Sequence, residues 1–157
     1  LSNLHDSNGF IFCDLLAFSP ADASETLPSE DTIQVYITVI ILNIALAYHR
    51  KGVVSCNKAS VARADKMYGT VTKLLSVCEN NQDVALVAKL AAINNLSLLQ
   101  HGQGDYNLSQ QGFRHLKYII DVGGENLEGS SLCSAQMYEG MRLNILCVAP
   151  PDAASAA

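Results

Sequence analysis

Charged residues are scarce in this chain. They make up 16% of its 157 residues, whereas soluble domains average about 25%. Aromatic residues reach only 6%, while hydrophobic residues account for 49%. Intrinsic disorder needs low hydrophobicity and high net charge, so this composition excludes it and predicts a folded chain. At this length one domain is expected, with roughly 68–70% of the unfolded surface buried on folding.

Basic residues are also few, and the net charge is -5, which argues against a nucleic-acid partner. Residues 1–31 carry six acids and no base, whereas residues 50–73 carry six bases and one acid. This asymmetry predicts a solvated basic helix face that pairs loosely with the acidic segment. A surface for an anionic partner is the open alternative.

The five cysteines form no CxxC pair and are dispersed along the chain. Neither a zinc site nor a disulfide framework is predicted, and a reducing compartment is favoured.

Residues 1–18 have no basic start and contain two aspartates, so no signal peptide is recognisable. Because the chain begins at Leu1 and not at Met, we expect a fragment or a processed form, and the organelle stays open.

Motifs that carry chemistry are missing as well. No GxSxG sequence and no phosphate-binding glycine loop occurs, and the four histidines have no spacing that places two ligands on one helical turn. The sequence therefore predicts no catalytic residue, no metal site and no cofactor.

The one membrane candidate is the uncharged run of seventeen residues 32–48, which is shorter than the ~20 apolar residues of a typical span. A buried helix is predicted there, and no membrane span.

Helical periodicity is what the sequence does contain. The first predicted helix begins at the capping and acidic sequence 29–32 and ends at Gly52. One stripe is expected to be buried, and it consists of Ile37, Ile40, Ile41, Ile44, Ala45 and Tyr48. Val39, Leu42 and Leu46 make the other side apolar too, so we expect neighbours to cover this helix on most sides.

Four further segments complete the expected architecture. Helices are predicted at about 58–79, 84–101 and 106–121, with the last one ending at Gly123–Gly124. Residues 132–148 favour a helix, although a strand that pairs with residues 9–18 remains open. The predicted organisation is an extended acidic segment 1–31 that packs on the repeats, a helical domain 32–148, and an alanine- and proline-rich tail 149–157.

An internal repeat is the most informative pattern. Asn43 and Asn95 each open a similar run that closes on a glycine nine positions later. The next helix then carries a small residue followed four positions on by an aromatic residue, as Ala64–Tyr68 and Ser109–Phe113 do. Together with the large-small pairs Ile44–Ala45 and Leu96–Ser97, this resembles the tetratricopeptide repeat, a helix–turn–helix unit. The resemblance implies an all-α fold of antiparallel helical hairpins in an α-α superhelix.

The resemblance is partial. The two copies are offset by 52 residues, whereas tetratricopeptide repeats recur every 34 residues, and two units are fewer than the three that usually stabilise an array. Gln100 also stands where an aromatic residue is usual, and no proline closes either unit. Tetratricopeptide-like is therefore the description that the sequence supports.

Four segments are followed by a proline- and alanine-rich end, namely the run 41–49, the turn 104–106, the run 113–116 and the segment 139–146. On these segments the whole chain from about residue 9 resembles a lineage-expanded, uncharacterised group of diatom proteins. It implies a fold and an interaction role, and no reaction.

The tetratricopeptide resemblance implies that ligands meet the inner faces of the first helix of each pair. The matched positions that could bind a peptide are Asn43, His49, Arg50, Asn94, Asn95 and His101. The predicted function is thus a non-catalytic protein–protein interaction module that binds a peptide or protein partner in a helical groove. The alternative is a structural or self-associating subunit, suggested by the apolar side of the first helix at Val39, Leu42 and Leu46. The oligomeric state stays open.

Overall fold

The computed structural model describes residues 29–76, 83–128 and 135–148. These residues form five α-helices and no strand: α1 (Glu30–Val54), α2 (Lys58–Ser76), α3 (Asp83–Gln103), α4 (Tyr106–Glu128) and α5 (Ala135–Val148). The predicted all-α class is confirmed for this part of the chain. The strand alternative is wrong for residues 135–148, which form α5. Residues 1–28 of the predicted acidic segment and the tail 149–157 lie outside the described residues.

The described helices belong to two compact units. The first unit comprises residues 29–76 and 83–92, and the second comprises residues 93–128 and 135–148. The division falls within α3, between Ala92 and Ile93.

The start of α1 in the first unit follows the predicted capping sequence. Ser29 is the N-cap, and its hydroxyl accepts a 3.2 Å hydrogen bond from the backbone N–H of Thr32. Glu30 and Asp31 lie in the first turn, where negative charge interacts favourably with the helix dipole. The sequence prediction for this end of the helix is confirmed.

The end of α1 differs from the prediction. The helix continues through Gly52 to Val54, and the turn that follows holds Cys56 at a φ of 49°. Gly52 is buried, and a Cβ built on it would lie 2.6 Å from Cγ2 of Val61 in α2. The glycine is therefore needed for the close approach of two helices, and the predicted helix stop at this residue is wrong.

α1 and α2 form an antiparallel hairpin. Gln34, near the start of α1, donates a 3.2 Å hydrogen bond from Nε2 to the carbonyl of Leu74, near the end of α2. Gly52, near the end of α1, meets Val61 near the start of α2. The contacts at both ends place the two helices side by side along their whole length.

The side of α1 that the hairpin buries is not the predicted one. The buried residues of α1 are Val35, Thr38, Val39, Leu42, Ala45, Leu46, His49 and Gly52. Of the predicted stripe, Ala45 is buried, whereas Ile37, Ile40 and Ile44 are 50%, 54% and 42% exposed. The expectation that neighbours cover α1 on most sides is therefore wrong.

Small side chains explain which side faces α2. Thr38, Ala45 and Gly52 recur every seven residues on the buried side, and seven residues correspond to two helical turns. A row of small residues lets another helix approach closely, whereas a row of isoleucines holds it further away. The isoleucine stripe accordingly points away from the hairpin contact.

α2 buries one of its sides. Ala64, Tyr68, Val71 and Leu75 are buried, and their spacings of four, three and four residues are typical of an amphipathic helix. The six bases of residues 50–73 are all exposed, namely Arg50, Lys51, Lys58, Arg63, Lys66 and Lys73.

The second unit begins within α3, which ends at the predicted turn. Gly104 adopts a φ of 87°, a conformation that glycine reaches without steric cost. Its N–H donates to the carbonyl of His101 at 3.0 Å, and the N–H of Asp105 donates to Gln100 at 2.9 Å. The prediction of a turn at residues 102–105 is confirmed for its second half, because α3 extends to Gln103.

α4 and α5 complete the second unit. α4 buries Phe113, Leu116 and Ile120 and continues to Glu128, so its predicted end near residue 121 is wrong. α5 buries Met137, Met141, Asn144 and Ile145, which lie on one side of the helix.

Candidate partner-binding site

His49 is buried in the α1–α2 hairpin. Only 4% of the residue is exposed, and its Nδ1 lies 3.2 Å from the hydroxyl of Tyr68, at hydrogen-bond distance. The two rings meet edge to face with their centroids 5.8 Å apart. Burial lowers the pKa of His49 from 6.5 to about 4, because an apolar environment disfavours the charged imidazolium. His49 is thus a neutral core residue at physiological pH.

The two other predicted binding residues of α1 are more accessible. Arg50 is exposed, and Asn43 is half-buried. Nearby, Arg63 of α2 donates a 3.2 Å hydrogen bond to the hydroxyl of Tyr48, and its guanidinium lies 5.4 Å from the centroid of that ring. This pair holds the two helices together on the solvent side of the hairpin.

In the second unit, Asn94 and Asn95 belong to a buried chain of amides. Asn144 of α5 donates from Nδ2 to Oδ1 of Asn94 at 2.8 Å. Asn94 in turn donates from Nδ2 to Oδ1 of Asn95 at 3.1 Å. The exposed fractions of the three residues are 0%, 0% and 2% for Asn94, Asn95 and Asn144. Buried amides need such partners because an unsatisfied one costs about 1–3 kcal/mol, so the chain joins α3 to α5.

His101 lies at the end of α3 and is exposed. Its ring meets the ring of Tyr106 edge to face, with centroids 5.1 Å apart. Tyr106 is the first residue of α4, and the contact spans the turn at Gly104.

The six predicted residues therefore fall into two sets. Asn43, His49 and Arg50 lie on α1 in the first unit, whereas Asn94, Asn95 and His101 lie on the part of α3 that belongs to the second. Within these sets the structure brings Asn94 and Asn95 into direct contact. The side chains of His49, Asn94 and Asn95 have partners inside their own units.

No metal-binding cluster is found among the described residues, because no group of three or more histidine, cysteine, aspartate or glutamate side chains could hold an ion there. Cys56 and Cys147 are free and exposed.

Among the described residues, the hydroxyl of Ser109 in α4 is buried without a hydrogen-bond partner. It lies on the core side of α4 with Phe113, which is fully buried.

An exposed apolar surface was missed by the sequence analysis. We define the isoleucine face of α1 as Ile33, Ile37, Ile40 and Ile44, which are 44%, 50%, 54% and 42% exposed. Their spacings of four, three and four residues place them on one side of a helix. The seven-residue spacing of Thr38, Ala45 and Gly52 could have indicated that the opposite side is the buried one.

α1 is also the one described helix that is long and apolar enough to cross a membrane, judged by length and composition. Only 39% of its most apolar window is buried. Helix α2, which packs along α1, carries Lys58, Arg63, Asp65, Lys66 and Lys73. Charged residues are costly at the centre of a bilayer, so the hairpin as packed is a poor candidate for a span.

Comparisons with protein-family models, with curated proteins and with solved structures find no match to this chain.

Proposed function

We propose that this chain is a non-catalytic protein–protein interaction module, and that the isoleucine face of α1 is its principal contact surface. The observation that carries the proposal is the exposure of four isoleucines on one side of α1. Soluble chains rarely leave a contiguous apolar surface of this kind uncovered, and where they do it usually marks a site of interaction.

We also infer that α1 with α2, and α3 with α4, are tetratricopeptide-like hairpins. The small residues of both repeat copies are buried, namely Ala45, Ala64, Ser97 and Ser109, and so are the two aromatic residues that follow, Tyr68 and Phe113. Small residues at these positions allow the paired helices to approach closely. The superhelical arrangement and the resemblance to the diatom proteins stay predictions.

The polar residues expected to bind a partner have different accessibility. Of the six, Asn43, Arg50 and His101 have side chains that a docked partner could reach, since His49, Asn94 and Asn95 are buried. In this proposal Asn43 and Arg50 add polar contacts beside the apolar ones on α1. The buried Asn94 and Asn95 join α3 to α5 within the second unit.

The proposal can be tested by affinity capture with quantitative mass spectrometry. The baits are the full chain, the variant Ile40→Glu and the matched control Leu146→Glu. Leu146 is 75% exposed on α5, so its substitution places the same charge on a different apolar position. Proteins retained by the wild type and the control but lost with Ile40→Glu would support the proposal. Equal capture by all three baits would contradict it.

A second set of variants tests the polar residues. A bait that combines Asn43→Ala with Arg50→Ala should retain less of the captured proteins than the wild type. Asn107→Ala, at an exposed position of α4, should retain as much as the wild type. Circular dichroism of each variant verifies that the helices are intact.

The predicted basis for the alternative, a structural or self-associating subunit of a larger assembly, is wrong, because Val39, Leu42 and Leu46 are buried. A different observation favours this alternative. Glu30 lies before the isoleucine face and Lys51 lies after it. When two copies of α1 lie side by side in opposite directions, the acid of each copy therefore faces the base of the other.

A further inference from the structure

The isoleucine face of α1 lies in an uncharged stretch. No charged residue occurs from Thr32 to Tyr48, and the four exposed isoleucines occupy one side of this stretch. The face spans twelve residues from Ile33 to Ile44, or about 16 Å of helix from the first Cα to the last. Its side chains are β-branched and lose little rotamer freedom when they pack. The surface is thus suited to a flat, apolar helix–helix contact.

Opposite charges stand beyond the two ends of this face. Glu30 lies three residues before Ile33, and Lys51 lies seven residues after Ile44. Both are exposed, and both spacings return a side chain to the same side of a helix. The two residues are separated by 21 positions, or about 31 Å, and the midpoint between them falls at Ile40 and Ile41.

We propose that a second copy of this chain covers the isoleucine face, with the two α1 helices packed antiparallel about a twofold axis near Ile40. The inference rests on the proposed function, because it takes this face to be an interaction surface and names its partner. In this arrangement Ile37 of each copy meets Ile44 of the other, and Glu30 of each copy lies beside Lys51 of the other. A twofold contact uses the same surface on both copies.

Charge selects the antiparallel orientation. A parallel pair would place Glu30 beside Glu30 and Lys51 beside Lys51, and like charges at close range are unfavourable. The antiparallel pair replaces both repulsions with attractions. The apolar side chains are compatible with either orientation, so the two charged ends determine which one forms.

A membrane surface is a poorer occupant of this face. Helices that lie on anionic membranes carry several bases on their polar side. The bases of α1 are Arg50 and Lys51, which lie together near its end, whereas Glu30 and Asp31 lie at its start, so the uncharged stretch between them carries no base for an anionic membrane. The self-complementary charge pattern therefore favours a second copy.

The mass of the full chain in solution tests the inference directly. Light scattering coupled to size-exclusion chromatography should give twice the 16.8 kDa of one chain at micromolar concentration. Ile40→Glu should give the mass of one chain, and Leu146→Glu should remain a dimer. A monomeric mass for the wild type across the accessible concentration range would overturn the inference.

Charge reversal tests the orientation. Glu30→Lys and Lys51→Glu should each weaken dimerisation by roughly three- to tenfold, and the double variant Glu30→Lys/Lys51→Glu should restore it. Both residues also complement the helix dipole, so a purely structural effect predicts that the double variant is the worst of the three. That result, or single variants that dimerise like the wild type, would overturn the antiparallel arrangement.

Failure of this inference is distinguishable from failure of the proposed function. If the wild type is monomeric and Ile40→Glu loses captured proteins, the proposed interaction module stands and its partner is another protein. If the wild type is monomeric and Ile40→Glu captures the same proteins, both proposals are wrong.

Discussion

Gly52 of α1 lies against Val61 of α2 with no space for a side chain between them. A Cβ built on Gly52 would be 2.6 Å from Cγ2 of Val61 and 3.0 Å from its backbone nitrogen. Because valine is stiff at χ1 and the backbone of α2 is held by its own hydrogen bonds, neither atom can move away readily. The contact fixes how closely the hairpin closes at this end.

The substitution Gly52→Ala should therefore destabilise the protein. We expect the free energy of unfolding to fall by about 1–2 kcal/mol, since the overlap with Val61 exceeds the gain in helix propensity. Gly69→Ala is the matched control, because Gly69 lies inside α2 and a Cβ there meets nothing within 4 Å. It should raise stability by up to ~1 kcal/mol. Urea denaturation of both variants measures the opposite signs, and a stabilising Gly52→Ala would contradict the close approach.

Acidification should destabilise the α1–α2 hairpin through His49. The folded-state pKa of about 4 lies below the unfolded value of 6.5, so protons bind preferentially to the unfolded chain. The contribution of His49 to stability is complete above pH 6.5 and is lost as the pH falls from 6.5 through about 4. The full loss amounts to about 3 kcal/mol.

The variant His49→Gln isolates this effect from the titration of carboxylates. Glutamine can keep a hydrogen bond to the hydroxyl of Tyr68 and does not titrate in this range. We expect the free energy of unfolding of the wild type, measured by urea denaturation, to fall more steeply between pH 7 and pH 5 than that of the variant. Parallel pH profiles for the two proteins would rule out a buried, neutral His49.

The helices could be predicted from the sequence because their determinants are local. Ser29 caps α1 through the backbone of Thr32 three residues away, and Gly104 ends α3 through a bond to His101. Such signals are contained within a few neighbouring residues. The continuation of α1 through Gly52 was not predictable in this way, because the contact that buries this glycine comes from α2.

The buried side of α1 was also decided by tertiary packing. Hydrophobic periodicity identifies an apolar stripe, but α1 has two of them, and both have the helical period. The choice depends on which side lets α2 approach, and the small residues Thr38 and Ala45 supply that side. Likewise, Asn144 lies fifty residues from its partner Asn94, a distance over which no local pattern applies.

The amide chain of Asn144, Asn94 and Asn95 should be sensitive to removal of its central member. Asn94→Ala leaves the Nδ2 group of Asn144 and the Oδ1 atom of Asn95 without these bonds in a buried position. We expect a loss of about 2–3 kcal/mol in the free energy of unfolding. Asn107→Ala, at an exposed position of α4, should change stability by no more than about 0.5 kcal/mol. Thermal or urea denaturation compares the two, and equal effects would show that the amide chain contributes nothing.

Ser109 should be replaceable without loss of stability. Its hydroxyl is buried and has no hydrogen-bond partner, so it carries a desolvation cost that no bond offsets. Ser109→Ala should leave the free energy of unfolding unchanged or raise it by up to ~1 kcal/mol. A clear destabilisation, measured by urea denaturation, would mean that the hydroxyl is satisfied in solution.

The close approach of α3 and α4 depends on Gly112 and Ser97. A Cβ on Gly112 would overlap with the hydroxyl of Ser97, which donates a 2.7 Å hydrogen bond to the carbonyl of Ile93. Gly112→Ala should therefore cost about 1–3 kcal/mol, since either the hydroxyl leaves that bond or the helices separate.

The double variant Ser97→Ala/Gly112→Ala identifies the cause. Removing the hydroxyl eliminates the worst overlap and leaves Cβ of Ser97 at 3.2 Å from the new Cβ, which is tight but adjustable. We expect the double variant to be more stable than the sum of the two single effects predicts, with a coupling of about 1 kcal/mol. Additive effects in urea denaturation would show that the two side chains do not compete for the same space. The close approach of α4 to α3 at this position would then be wrong.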